Sequence, residues 1–182
     1  MQFRPTVITD KTGCAVTLRS AEPSDAPALL RYLKTTAAET PFLVREPEEI
    51  TLTEEQEAAY IRSKRSAERE LLLIAEADGQ HIGNCALMQI ADLRRCSHRC
   101  GIAVALYQAY CGRGIGRAML EAVLEAARQT GYTQAELEVI ADNRHAIALY
   151  ESLGFVRYGR MPGNVRYADG SDADAYWMMK RL

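Results

Sequence analysis

Hydrophobic residues recur at two spacings along the chain, and the spacing changes from one segment to the next. Alternation or short apolar runs bounded by turn residues indicate β-strands, whereas apolar residues three and four positions apart indicate amphipathic helices. Strands are predicted over about 15–21, 71–77, 81–90, 98–107, 134–140, 155–160 and 175–181. Helices are predicted from a start signal at 23–27 to about 38, and over about 53–68, 114–130 and 143–153.

Turn and capping residues support several of these boundaries. Thr53 is the predicted N-cap of the second helix, because Gln56 follows at the spacing of a capping box. The segment 78–80, Asp-Gly-Gln, separates two strand-like runs and predicts a β-hairpin. Gly131 and Gly154 follow the last two helical segments, where a glycine commonly ends a helix. Residues 39–52 contain two prolines and are predicted to form a loop.

The predicted element order is β-α-α-β-β-β-α-β-α-β-β, which is typical of a mixed sheet with helices packed on its faces. We therefore expect an α/β fold of the mixed α+β kind, with a central, mostly antiparallel sheet and about four flanking helices. A length of 182 residues fits a single domain over 1–182, in which 1–14 form an N-terminal extension.

Composition and charge narrow the class of protein. The chain is 48% hydrophobic and 25% charged, as in ordinary soluble globular proteins. Its net charge of -2 offers no basic excess for nucleic acid or an anionic membrane. No apolar run approaches the ~18 residues of a membrane span, and the first residues lack the apolar core of a signal peptide. We expect a cytoplasmic protein that binds neither nucleic acid nor membranes.

The cysteine pattern favours reduced thiols. An odd number of cysteines in a chain of this size does not suggest a disulfide framework. Cys96 and Cys100 flank His98, but no further ligands follow at a spacing suited to a metal ion. No metal is therefore expected. The five cysteines are Cys14, Cys85, Cys96, Cys100 and Cys111.

Three of the twelve glycines lie at alternate positions just before the helix predicted at 114–130: Gly112, Gly114 and Gly116. A helix N-terminus exposes unpaired N–H groups, and glycines let an anion approach them closely. Arg113 and Arg117 add positive charge, so the loop resembles a cradle for a diphosphate. It lacks the Gly-Lys-Ser/Thr of a Walker A loop. A dinucleotide fingerprint would need a glycine where Met119 stands.

These residues resemble the GNAT superfamily of acetyl-CoA-dependent N-acetyltransferases. The phosphate motif of that family is Gln/Arg-x-x-Gly-x-Gly/Ala, and "CGRGIG" at 111–116 matches it except at Cys111. A second family motif matches "LEVIADNRHAIALYESLGF" at 137–155. The two motifs stand in the family order and at the family separation, and the element order fits from about residue 15 onward. The resemblance implies a sheet that splays apart at the cofactor site.

The resemblance also implies roles for individual residues. The backbone near Val104 and Leu106 would pair with the pantetheine arm of acetyl-CoA, the acyl donor, and Asn143 would contact the cofactor. Tyr150 would lie near the cofactor sulfur and protonate the leaving thiolate; a tyrosine hydroxyl, with a reference pKa of ~10, can serve as a general acid. The diphosphate would be held at Cys111, Gly112, Arg113, Gly114, Ile115, Gly116 and Arg117.

One position departs from the family. Many relatives carry a glutamate at the start of the central strand as a general base, and alignment on Leu106 places Gly101 there. An ammonium cannot attack, and losing a positioned base costs about 10²–10⁴-fold in rate. Three alternatives remain: His98 at the strand start, Glu39 after the first helix, or an acceptor such as an α-amine, with a pKa of ~8, that needs little help.

Two charged clusters allow more than one interpretation. Six glutamates between 46 and 57 would form a negative rim that attracts a cationic amine, or simply a solvated loop and helix face. A short arginine cluster could face a cofactor phosphate or solvent. The glutamates are Glu46, Glu48, Glu49, Glu54, Glu55 and Glu57, and the arginines are Arg94, Arg95 and Arg99.

The sequence thus predicts acetyl transfer from acetyl-CoA to a primary amine of a small molecule or peptide, by direct attack without a covalent enzyme intermediate. The alternative is a non-catalytic domain that senses acyl-CoA, suggested by the glycine at 101. A third interpretation is a nucleotide-binding protein that uses the same glycine loop. The resemblance is compatible with a homodimer formed through the C-terminal strand. No motif names the acceptor.

Overall fold

Eight strands form one sheet in the computed structural model, which describes residues 1–182. Their spatial order is β1-β2-β3-β4-β5-β6-β8-β7, and every neighbouring pair is antiparallel except β5 and β6. The predicted mixed, mostly antiparallel sheet is confirmed. The strands are β1 (Thr6–Thr9), β2 (Ala15–Ser20), β3 (Leu71–Ala77), β4 (Gln80–Gln89), β5 (Arg99–Leu106), β6 (Gln134–Ile140), β7 (Val156–Arg166) and β8 (Asp172–Arg181).

Four α-helices cover the sheet: α1 (Ala26–Glu39), α2 (Glu54–Ser66), α3 (Ile115–Gln129) and α4 (Arg144–Ser152). The predicted capping box of α2 forms, because Thr53 Oγ1 accepts from the Gln56 amide and Gln56 Oε1 accepts from the Thr53 amide. Both bonds satisfy amides that the first helical turn leaves unpaired. None of the helices combines the length and the apolar character needed to cross a bilayer.

The core has a layer on each face of the sheet. Leu71 and Leu73 of β3 pack with α3, whereas Leu72 and Ile74 pack with α1 and α2. Successive side chains of a strand point to opposite faces, so a strand covered on both sides is apolar throughout. This explains why β3 is a continuous hydrophobic run rather than an alternating one.

The sheet is longer at both ends than the sequence predicts. Residues 1–14, expected as an extension, contain β1, which pairs only with β2 and is mostly exposed. Four residues at a sheet edge carry too little hydrophobic periodicity to be recognised. At the other end, β7 runs on to Arg166 and β8 begins at Asp172. Irregular pairing around Gly159 and between Met161 and Val165 hides the continuity of β7 in the sequence.

The sheet opens between β5 and β6. These two parallel strands pair only over Arg99–Gly101 and Gln134–Glu136. Beyond those residues β5 continues to Leu106 and β6 continues to Ile140, but the two strands no longer pair with each other. The result is a wedge-shaped gap in the middle of the sheet, as the resemblance implied.

A buried histidine lies under α1. His81 of β4 is 7% exposed, and neither ring nitrogen has a hydrogen-bond partner. Its ring centroid is 4.6 Å from that of Tyr32, which is fully buried. Burial lowers the pKa of His81 to about 4, although Asp25 nearby opposes that shift. The folded protein therefore holds His81 neutral well below the pH at which a free histidine takes up a proton.

We expect His81 to destabilise the fold as the pH falls. Between about pH 6.5 and pH 4 the unfolded chain protonates this histidine and the folded chain does not, so each pH unit costs up to about 1.4 kcal/mol. Urea unfolding at pH 7.5 and pH 5.0 should show a loss of about 2 kcal/mol from this group. His81→Phe should remove that part of the loss, and His98→Gln, at an exposed position, should retain it. Equal pH dependence in wild type and His81→Phe would refute this account.

Candidate active site

The glycine loop forms a cradle of free amides at the start of α3. Gly114 caps the helix with φ 90°, and Gly112 has φ 75°, a left-handed conformation that strains other residues. No carbonyl or side chain accepts a hydrogen bond from the amides of 112–117. Unpaired amides at the positive end of a helix suit a diphosphate. The residues present therefore fit the diphosphate of a CoA molecule.

Two side chains predicted to add charge to this cradle are engaged elsewhere. Arg113 Nε donates to Asp10 Oδ2 at 2.6 Å. Arg117 donates to Ser152 Oγ at 2.5 Å, and its other nitrogen lies 3.6 Å from Glu121. Arg113 is the larger departure from expectation, because its charge is neutralised by a carboxylate with no exposed surface.

Cys111 lies at the edge of the cradle rather than inside it. Its amide donates to the Gln108 carbonyl at 3.1 Å, so this amide is not free for an anion. Its thiol contacts the Tyr107 carbonyl. The amides available to a ligand begin at Gly112.

The free edge of β5 leads from the cradle into the gap. The Tyr107 amide donates to the Ile82 carbonyl of β4 at 3.0 Å. Because backbone groups of alternate strand residues point to the same side, those of Leu106 and Val104 point away from β4 and into the gap. These are the two residues predicted to pair with the pantetheine arm, and nothing in the chain pairs with them there.

Asn143 is the N-cap of α4 and Tyr150 lies on that helix, on the α3 side of the sheet. Asn143 Oδ1 accepts from the Ala146 amide at 3.2 Å and caps the helix, which leaves its amide nitrogen available. Tyr150 is 7% exposed and packs edge-on against Phe155. Burial raises the pKa of the Tyr150 hydroxyl. The hydroxyl is thus held in its protonated form, as a proton donor requires.

The structure places the two predicted base candidates at opposite ends of β5. Glu39 Oε2 accepts from the Gln108 amide at 2.8 Å, so it ties α1 to the loop after β5. His98 is exposed and precedes β5, and its carbonyl accepts from Gln134 at the start of β6. At Gly101 a Cβ would meet only Met88, at 3.8 Å. There is room for a side chain at position 101, but β5 carries no acidic residue there.

A different carboxylate lies on the part of β6 that borders the gap. Glu138 lies two residues beyond Glu136, the last β6 residue paired with β5, and so about 7 Å further into the opening. Trp177 Nε1 donates to its Oε2 at 2.9 Å, and Asn164 Nδ2 donates to its Oε1 at 2.8 Å. The carboxylate is exposed but held by two neutral donors.

Glu138 and Tyr150 lie on opposite faces of the sheet. Leu137 and Val139 belong to the core layer of α3 and α4, as Tyr150 does, so Glu138 points to the other face. Glu136 shares that face but is bound by Arg99, whose hydrogen bonds lower the pKa of Glu136. Of these two β6 carboxylates, Glu138 is the one that no arginine or lysine neutralises.

Glu138 was not predicted from the sequence, because many relatives carry the acid on the strand that corresponds to β5. The available signal was the alternation of Glu136 and Glu138 within an otherwise apolar strand. Charges on one face of a central strand are costly unless that face meets solvent or a ligand. The gap that exposes Glu138 depends on how β5 and β6 diverge, which the sequence pattern does not give.

A solvent-open groove of about 490 Å³ lies beside this face, between the segment after α1 and the end of β7. It borders Val165, the neighbour of Asn164. Of the predicted glutamate rim, only Glu46 and Glu48 line it. The others are Glu49, which bonds the Glu46 amide, Glu54 and Glu55 in the first turn of α2, and the buried Glu57. The six glutamates therefore do not form one continuous rim of the groove.

The arginine cluster and the cysteines of the sequence are separated in the structure. Arg94 and Arg95 are exposed, and Arg99 is paired with Glu136. All five cysteines are free thiols, and no group of three His, Cys, Asp or Glu side chains is arranged to hold a metal ion.

A model of the acetyltransferase (GNAT) family matches residues 31–155, which is more than half of the chain. The chain belongs to the GNAT family. The match contains β5, the glycine cradle, α3, β6 and α4, the elements that surround the gap. The resemblance stated from the two sequence motifs is confirmed.

Curated GNAT relatives match over shorter segments. N-alpha-acetyltransferase RimI of Mycobacterium tuberculosis is 47% identical over 72 residues, covering 40% of this chain and 42% of that protein. Ribosomal protein bS18-alanine N-acetyltransferase of Escherichia coli is 46% identical over 52 residues, covering 29% of this chain and 35% of that protein. The chain thus spans less than half the length of these curated relatives.

Solved GNAT structures match nearly the whole fold. An acetyltransferase of the GNAT family from Streptococcus pneumoniae superposes with a TM-score of 0.88 at 26% identity, over 92% of this chain and 99% of that one. The structure of yncA from Salmonella typhimurium, solved with its cofactor acetyl-CoA, gives a TM-score of 0.81 at 21% identity, over 92% and 94%. The second likeness shows the fold alone.

Proposed function

We propose that this protein transfers an acetyl group from acetyl-CoA to a primary amine by direct attack of the amine on the thioester. The observation that carries the proposal is the gap between β5 and β6, whose β5 edge leads to the free amides of 112–117 and whose β6 edge bears Glu138. The acetyl-CoA in the yncA structure supports the choice of donor by analogy of fold.

Three groups of residues have proposed roles in binding acetyl-CoA. The amides of 112–117 hold the diphosphate, and the free backbone groups of Val104 and Leu106 hold the pantetheine arm. Asn143 contacts the cofactor through its free amide nitrogen. Because a thioester is already activated, the enzyme mainly positions the amine and moves protons.

Two proton-transfer roles are assigned, one to Glu138 from its position on β6 beside the gap and one to Tyr150 from the resemblance to the family. Glu138 takes a proton from the incoming ammonium, directly or through a water, on the face that meets the groove. Tyr150 gives a proton to the departing thiolate on the opposite face. Trp177 and Asn164 hold the Glu138 carboxylate in a fixed orientation for its step. This assignment replaces Glu39 and His98 as the base.

We infer that the acceptor is an α-amine at the N-terminus of a peptide or protein. Support comes from the names of the two curated relatives, N-alpha-acetyltransferase RimI and ribosomal protein bS18-alanine N-acetyltransferase. The groove between the segment after α1 and the end of β7 is open to solvent, and Glu39 lines it. A small-molecule amine is the competing acceptor, and the assay below separates the two.

The test is acetyl transfer from acetyl-CoA to a panel of amines, read by product mass between about pH 6 and pH 9.5. The panel contains short peptides with free N-termini, the same peptides with blocked N-termini and an internal lysine, polyamines and amino acids. Transfer restricted to the free N-termini is the expected result. Tight binding of acetyl-CoA without transfer to any amine would favour the sensor instead.

A further inference from the structure

The turn between β1 and β2 packs directly on the glycine cradle. The Lys11 amide donates to the Arg113 carbonyl at 3.0 Å. Lys11 Cγ and Cε lie 3.6 and 3.7 Å from the position that a Cβ would take on Gly114. The strand pair at the edge of the sheet thus delivers a lysine to the N-terminus of α3.

The turn is held in place by Asp10 and Arg113. Asp10 Oδ1 accepts from the Thr12 hydroxyl and from the amides of Thr12 and Cys14, and Oδ2 accepts from Arg113. Burial alone would raise the pKa of this carboxyl, but these hydrogen bonds hold it at about 2. Arg113 also donates to Thr12 Oγ1 and stacks on Tyr110. Arg113 is therefore committed to anchoring the turn.

Lys11 is the cation at the cradle that lacks an anionic partner. Its side chain is exposed and takes part in no ion pair, whereas Arg113 and Arg117 are both paired. An ammonium group placed over free amides adds a charge where a diphosphate would collect hydrogen bonds. Lys11 also lies outside residues 31–155, so it is not part of the segment that matches the family.

We propose that Lys11 binds the diphosphate of acetyl-CoA, and that Arg113 acts as the structural clamp that positions the β1–β2 turn for this contact. The inference rests on the proposed function, since it presumes a CoA-type ligand in the cradle. It assigns the positive charge of the site to a residue 100 positions away from the glycine motif, brought there by the sheet edge.

The test is calorimetric titration of Lys11→Gln, Lys11→Arg and wild type with CoA, 3′-dephospho-CoA and pantetheine. Lys34→Gln, at another exposed lysine, is the matched control. We expect Lys11→Gln to weaken CoA and 3′-dephospho-CoA alike by roughly 5- to 20-fold. Pantetheine should be unaffected, Lys11→Arg should bind nearly as wild type does, and the difference should shrink at high salt.

The outcomes separate the claims. Unchanged CoA affinity in Lys11→Gln would overturn the proposal, and a loss restricted to CoA would mean that Lys11 meets the 3′-phosphate instead of the diphosphate. Wild type that binds neither CoA nor 3′-dephospho-CoA would refute the proposed function itself. For the clamp, Arg113→Gln should lower the melting temperature, because it leaves the enclosed Asp10 carboxylate unpaired, whereas Lys11→Gln should not.

Discussion

Glu138→Gln should lower the rate of acetyl transfer by about 10²–10⁴-fold and leave the affinity for acetyl-CoA nearly unchanged. The carboxylate is the proposed acceptor of the ammonium proton, and it lies on the face of the sheet away from helix α4. Without a base, transfer would depend on amine already deprotonated in solution. The residual rate should therefore keep rising with pH up to the pKa of the acceptor, ~8 for an α-amine.

The controls for this prediction are the two competing candidates. Glu39→Gln keeps an oxygen that can accept from Gln108, and His98→Gln changes an exposed side chain, so both should fold normally and retain most of the activity. Steady-state kinetics and calorimetry on the three variants supply the comparison. A loss of rate in Glu39→Gln or His98→Gln that exceeds the loss in Glu138→Gln would remove Glu138 from the mechanism.

Tyr150→Phe should lower the rate of transfer by about 10²-fold while the dissociation constant for acetyl-CoA stays the same. The substitution keeps the ring that packs against Phe155 and removes only the hydroxyl. Burial raises the pKa of that hydroxyl, so it remains a proton donor throughout the range in which amines are nucleophilic. Wild type should accordingly show no alkaline loss of rate below about pH 10.

Tyr158→Phe on β7, at an exposed position, is the matched control and should behave as wild type. Mass spectrometry of the acetylated product, in reactions quenched at several times and pH values, tests both variants. A Tyr150→Phe protein with full rate would show that the thiolate leaves without a proton from this residue. Wild type that binds acetyl-CoA but has no rate to lose would identify a sensor.

Much of the fold was readable from local patterns because the information lies within each segment. The capping box at Thr53 and Gln56 and the Asp78-Gly79 turn of the β3–β4 hairpin depend on neighbours in sequence, and each forms as predicted. The short edge strand β1 and the length of β7 were missed, because their pairing partners rather than their own composition define them.

The candidate site divides in the same way. The sequence alone determined the glycine cradle, since left-handed glycines before a helix fix the local backbone wherever the chain folds. It also determined the family, through two motifs on consecutive elements. Glu138 and Lys11 were decided by the tertiary structure. The divergence of β5 from β6 exposes one, and the β1–β2 turn carries the other to Gly114. Both depend on strand pairing between residues far apart in the chain, which no single segment encodes.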